Sequence, residues 1–336
     1  MKRSFYYTAV VSLFLIGNLL PFALEIKAQE SRTSEVTETK KDRGYYLPTR
    51  IVVEYSGETV IAEKGIPEWA ATAVGLINEL YPRYDKLLET DGHVPSGLVT
   101  LRFEDSQTIG WNSATTIGIS IRWIRPGAQG EKDFGMIAHE LVHFVQSYRG
   151  GAGTGIPNWA TEGIGDYVRH VFYEPEKEMR AVNPEKASYR DAYQVTAGFF
   201  MWIENTYDRE FIKKLNRCAR QRTYSDALWT DCTGKNLDDL WAEYVEKILK
   251  PLQQENKRLI PAIWFPNVMQ TKKEFEEYFA TLKQEPRPQQ QEQEQGRGQG
   301  QGQGRGQGGQ GQGGQGQGGQ GQGQSQGQGQ QRQQGN

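Results

Sequence analysis

One stretch, residues 134–170 (FGMIAHELVHFVQSYRGGAGTGIPNWATEGIGDYVRH), constrains this chain more than any other. Its first half contains His139-Glu140-Leu141-Val142-His143, an H-E-x-x-H pattern. On a helix, residues four apart share a face, so both imidazoles can meet one metal ion. Glu140 lies one position round from His139, where it can hold a water rather than the metal. Met136, Ile137, Leu141, Val142, Phe144 and Val145 leave little of the segment polar, which predicts a buried helix. Burying two imidazoles and a carboxylate in such surroundings costs free energy that a bound cation offsets.

A catalytic zinc site uses three protein ligands and keeps one position open, and His-His-Glu is one of the known sets. Glu162, in Glu162-Gly163-Ile164-Gly165-Asp166, supplies the missing acid. Glu162 and Asp166 are four apart and face the same way on a second helix. Asp166 can then accept a hydrogen bond from the outer nitrogen of a ligating histidine, which sets its tautomer. His170 continues the same spacing, so the third ligand lies among Glu162, Asp166 and His170, with Glu162 preferred. Gly163 and Gly165 each cost about 1 kcal/mol relative to Ala in a helix. Two of them between the acids predict a close approach, with the first helix as the expected neighbour. The three-histidine variant of the motif is excluded, because Gln146 and Arg149 stand where its glycine and third histidine belong.

HELVHFVQ, EGIGDYVR, YQVTAGFF from Tyr193 and LDDLWAEY from Leu237 together resemble the plant basic secretory protein family and its bacterial relatives. The resemblance spans residues 49–250 and implies a zincin-like metallopeptidase that binds Zn2+. Its α+β fold would be a small mixed sheet packed on the metal-site helix, followed by further helices. It further implies His139 and His143 as ligands and Glu140 as the catalytic acid/base, and it puts Glu162 and Asp166 in a second acidic motif. Tyr193 falls in a family motif too, as a candidate to stabilise the oxyanion, set against an ordinary core role with its hydroxyl satisfied. Tyr167 and Tyr189 are weaker candidates. The chain departs from the family pattern at Gly165, where alanine is expected, at His170, where an apolar residue is expected, and in its cysteine pair.

Around this centre, residues 1–28 combine Lys2 and Arg3 with an apolar run and a small residue at Ala28. That pattern predicts a secretory signal peptide, and hence a secreted or periplasmic protein with no stable membrane span after cleavage. Cys218 and Cys232 are the only cysteines. Export favours one disulfide between them. Residues 29–46 read as a polar linker and 47–283 as the catalytic domain with a C-terminal extension. The Gln/Gly-rich tail, 284–336, carries no side chains fit to build a core.

Within the domain, residues 50–55 and 98–103 read as strands, and 66–88 as an amphipathic helix that Pro82 kinks or divides. Residues 115–124 read as a strand that either edges the substrate cleft or lies inside the sheet. His93 reads as a surface residue. The metal-site helix is expected to start near residues 131–133, after the turn at Pro126-Gly127. Helices are expected over 192–207, 210–219 and 237–249, with a proline-broken segment and a short helix over 259–282. Strands before the motifs and helices after them give an α+β class.

The formal net charge of −2 offers no electrostatic case for nucleic acid or an anionic membrane. The expected partner is a peptide or protein substrate. The sequence assigns no oligomeric state. The reading is an exported zinc-dependent peptidase, and its rival is a zinc-stabilised extracellular binding or adhesion module without catalysis.

Overall fold

The computed structural model describes residues 43–148 and 156–288. The expected signal peptide, most of the expected linker and the tail beyond residue 288 lie outside the described residues. Among the described residues, no helix is long and apolar enough to cross a membrane.

The fold is mixed α+β, a four-stranded sheet followed by helices. β1 (Arg50–Tyr55) leads through α1 (Glu58–Ala62) and α2 (Ile66–Leu87) to β2 (Leu98–Glu104). β3 (Gly110–Asn112) and β4 (Thr116–Ser120) complete the sheet in the order β1-β2-β4-β3. β1, β2 and β4 run parallel, and β3 pairs antiparallel with β4 as an edge strand. Val99, Leu101 and Phe103 of β2 alternate onto one fully buried face, as a half-covered strand requires. β4 is buried along its whole length, so the strand expected over 115–124 is interior and ends early. Residues 121–124 instead turn into the short helix α3 (Ile121–Ile124). The sheet edge beside β4 belongs to β3, whose three residues are too short to carry a period.

α2 runs unbroken through Pro82. Its buried positions Trp69, Ala73, Ile77, Leu80, Tyr81 and Tyr84 keep one face on the core, and this packing outweighs the lost backbone bond. α4 (Gly135–Gln146) packs against α2, β3 and β4. It starts two residues later than the acids suggested, because Asp133 and Phe134 still form turn bonds and Asp133 is engaged by Arg169. Ile137, Ala138, Leu141 and Val142 are fully buried.

α5 (Asn158–Val168) continues without a break into a π-helical turn, Arg169–Tyr173. α6 (Tyr193–Thr206) lies along α5, and α7 (Phe211–Gln221) closes behind it. α8 (Ala227–Thr233), α9 (Leu237–Tyr244), a π-turn at Val245–Leu249 and α10 (Lys250–Gln254) follow. α11 (Pro261–Trp264) and α12 (Pro266–Phe279) return to pack on the π-turn after α5 and on α6. Trp159, Phe199, Phe200, Trp229 and Trp241 stack into an aromatic core between these helices.

Three expectations change. The compact unit extends past both expected boundaries. The Tyr46 amide donates to Asp85 (2.9 Å), while Arg43 makes a two-pronged pair with Asp85 (3.0 and 3.1 Å). At the other end Gln284 bridges to Tyr45, and Arg287 donates to the carbonyls of Leu47 (2.9 Å) and Pro95 (2.6 Å). Cys218 and Cys232 are free thiols on separate helices. The Cys232 thiol is instead hydrogen-bonded to Asp208, and burial together with that acid pushes it up to about 12. His93 is half-buried, its Nε2 3.0 Å from the Val145 carbonyl, rather than a free surface residue.

Candidate metal centre

α4 presents His139 and His143 from one face, as their spacing dictates, and α5 brings Glu162 to meet them. The two Nε2 atoms lie 3.0 Å apart, and Glu162 Oε2 is 3.3 Å from His139 Nε2 and 3.5 Å from His143 Nε2. His139, His143 and Glu162 form a group that could hold a metal ion. Burial alone would raise the Glu162 carboxyl, but the two histidines facing it hold it well below the usual carboxylate range. Burial likewise works against a charge on His139, yet Asp166 and Glu162 raise its imidazole to about 10. The field that draws a proton onto His139 is the field that would hold a cation in the proton's place.

Behind His139, Asp166 Oδ1 is 2.7 Å from Nδ1. Asp166 is almost wholly buried; burial raises its carboxyl, but the His139 bond and charge outweigh this and leave it below its ordinary value. It fixes the ring so that Nε2 faces the site. Space for this ring comes from Gly165, because a Cβ there would sit 2.7 Å from His139 Cε1. Gly163 serves another contact: a Cβ there would lie 2.3 Å from Thr196 Cγ2 on α6. The expected close approach is present at both glycines, but only one faces the first helix.

Glu140 stands beside the cluster, with Oε2 accepting from Asn112 Nδ2 at 3.0 Å. Asn112 lies on the edge strand, and Gly110 of the same strand gives Glu140 room, since a Cβ there would be 3.1 Å from Oε1. Tyr193 is half exposed rather than packed in the core, and its ring centroid is 5.9 Å from that of His139. Ala192 (φ 59°) and Tyr193 (φ 46°) both occupy the left-handed region at the start of α6. Strain of this kind costs on the order of 1–3 kcal/mol per residue and collects at functional sites. Tyr167 and Tyr189 point elsewhere, their hydroxyls bonded to Glu204 and Asp238.

His170 does not join the cluster. It is completely buried in the π-turn, and neither ring nitrogen has a hydrogen-bond partner. Its Nδ1 is 3.8 Å from Glu174, and burial depresses it to about 4. Asn112 and Gln146 were missed by sequence reasoning. Gln146 Oε1 lies 2.8 Å from His143 Nδ1; it stands three residues beyond His143, on the same helical face, and that spacing was the available signal. No sequence signal marks Asn112, whose role depends on strand pairing.

No curated protein and no solved structure matches the chain. A family model described as "Peptidase of plants and bacteria" matches residues 76–244, which takes in both site motifs, Tyr193 and the edge strand. The chain therefore belongs to the BSP family, the peptidases of plants and bacteria.

Proposed function

We propose that the protein is an exported, zincin-like peptidase that uses zinc held by His139, His143 and Glu162. The observation that carries this reading is the spacing of the three ligand atoms, 3.0, 3.3 and 3.5 Å. Tetrahedral zinc with bonds of about 2.0–2.2 Å needs ligand atoms about 3.3 Å apart. Two nitrogens and one oxygen are also a borderline donor set suited to zinc. Bound zinc would supply Lewis-acid polarisation of the scissile carbonyl and acidify water.

The chain's own residues supply the rest. Glu140 accepts the proton of the attacking water and passes it to the leaving amine. Asn112 holds its carboxylate in place through Oε2. The Tyr193 hydroxyl donates to the developing oxyanion. Its proton is held firmly: burial, with Glu162 and Glu140, raises the phenol above its ordinary value. An extended peptide pairs with the outer edge of β3, which puts its backbone beside Glu140. Export rests on the N-terminal pattern of residues 1–28.

The test is metal analysis combined with hydrolysis of a mixed peptide library. The reading expects about one zinc per chain, with cleavage abolished by a chelator and restored by zinc. Cleavage that survives complete metal removal sinks it.

A further inference from the structure

We infer that Asn216, on α7, sets the tautomer of His143 from a distance through a one-way relay of hydrogen bonds running by Tyr148 and Gln146. The inference rests on the reading of His143 as a metal ligand. It starts from a group that has no choice, since the Leu88 carbonyl oxygen can only accept. Asn216 Nδ2 lies 3.0 Å from that oxygen and 3.5 Å from Thr90 Oγ1. Its amide NH2 must face them, which turns Oδ1 towards Tyr148.

The Tyr148 hydroxyl gives its single proton to Asn216 Oδ1 at 2.9 Å. Only its lone pairs remain for Gln146, so Gln146 presents Nε2 there, at 3.2 Å. The Gln146 carbonyl is thereby turned onto the His143 ring, at 2.8 Å from Nδ1. A ring nitrogen facing a carbonyl must carry the proton. Nε2 is left as the lone pair, on the side facing His139 and Glu162.

Asn216 and Gln146 are both buried to within about a hundredth of their surface, so water cannot replace a missing partner. Arg220, one turn beyond Asn216, anchors the frame. It donates to the carbonyls of Leu88 (2.6 Å), Val145 (3.2 Å) and Gln146 (3.1 Å), tying the end of α4 to the end of α2. The two histidines are thus oriented by different chemistry. A carboxylate holds His139, whereas a neutral amide chain reaching into α7 holds His143.

The experiment follows the His143 imidazole in the 15N-labelled, metal-free full chain by NMR. It reads which ring nitrogen is protonated and how fast that proton exchanges with solvent. In the parent, Nδ1 carries a protected proton. Tyr148→Phe removes one oxygen and frees Gln146 to turn over, so exchange should quicken by about tenfold. The His139 ring proton, held by Asp166, should not change, and it separates a loss of orientation from general loosening. Gln146→Met, which keeps the volume without the amide, should behave in the same way and decides the matter if Tyr148→Phe fails to fold. Zinc affinity by chelator competition should fall about tenfold in both variants. Parent-like exchange at His143 in every folded variant overturns the relay. If the parent binds no zinc while exchange still responds, the relay stands and the peptidase reading fails.

Discussion

Asp166 Oδ1 lies 2.7 Å from Nδ1 of His139, and Gly165, its neighbour on α5, clears the space in which that ring lies. One turn of α5 therefore supplies a candidate ligand, a hydrogen-bond acceptor and a gap. Changing Asp166 to Asn should weaken zinc binding by roughly 10–100-fold. Glu162→Ala should weaken it more, because a direct ligand is lost. Chelator competition on the two variants checks the order.

Gly165→Ala should improve helix propensity by about 1 kcal/mol, but its Cβ would lie 2.7–3.0 Å from three atoms of the His139 ring. The ring must move to accommodate it. The expected result is a thermal midpoint close to that of the parent, together with a clear loss of zinc affinity. Unchanged affinity would mean that the ring relaxes freely.

Glu140→Gln should keep the fold and the metal and lower hydrolysis by roughly 10²–10⁴-fold, the usual worth of a positioned base. Asn112→Ala should lower it less, since only the anchor of that carboxylate is lost. Peptide cleavage rates, measured beside zinc content, separate the two effects.

His170 predicts a pH dependence of stability. Burial depresses its folded-state pKa to about 4 from the ordinary histidine value of 6.5. Between those values the unfolded chain binds the proton and the folded chain does not, so its contribution is present above about 6.5 and is lost as pH falls to about 4. His170→Leu should flatten this acid limb by about 1–3 kcal/mol while leaving zinc affinity alone. Urea unfolding of parent and variant at pH 7.5 and pH 4.5 measures it. An equal acid sensitivity in both would remove His170 from the account.

The C-terminal boundary can be tested by truncation. Ending the chain after Lys283 removes Arg287 and its bonds to Leu47, Pro95 and Tyr81. Hydrogen bonds from a charged donor are worth about 1.5–3 kcal/mol each, so a loss of a few kcal/mol is expected. Ending it after Pro288 should cost nothing measurable. Denaturation midpoints of the two truncated chains distinguish these outcomes.

Much of the centre was legible in the chain itself, because helical spacing is a local rule. His139 and His143 share a face whatever surrounds them, and so do Glu162 and Asp166. The long α2 and the alternation in β2 followed from periodicity in the same way, and β1 from its run of β-branched residues. Spacing left the choice among Glu162, Asp166 and His170 open, since all three recur every four residues. Tertiary packing groups Glu162 with the two histidines, whereas α5 passes into a π-turn after Val168 and His170 is carried into the interior beside Glu174. The edge role of β3, the hold of Asn112 on Glu140 and the Gln146–Tyr148–Asn216 chain also needed the structure. Each joins residues distant along the chain, or depends on which strand a neighbour leaves unpaired, and no local period records either. The two thiols and the anchored Arg287 have the same cause, because a residue's partner across the fold is set by packing rather than by its neighbours in sequence.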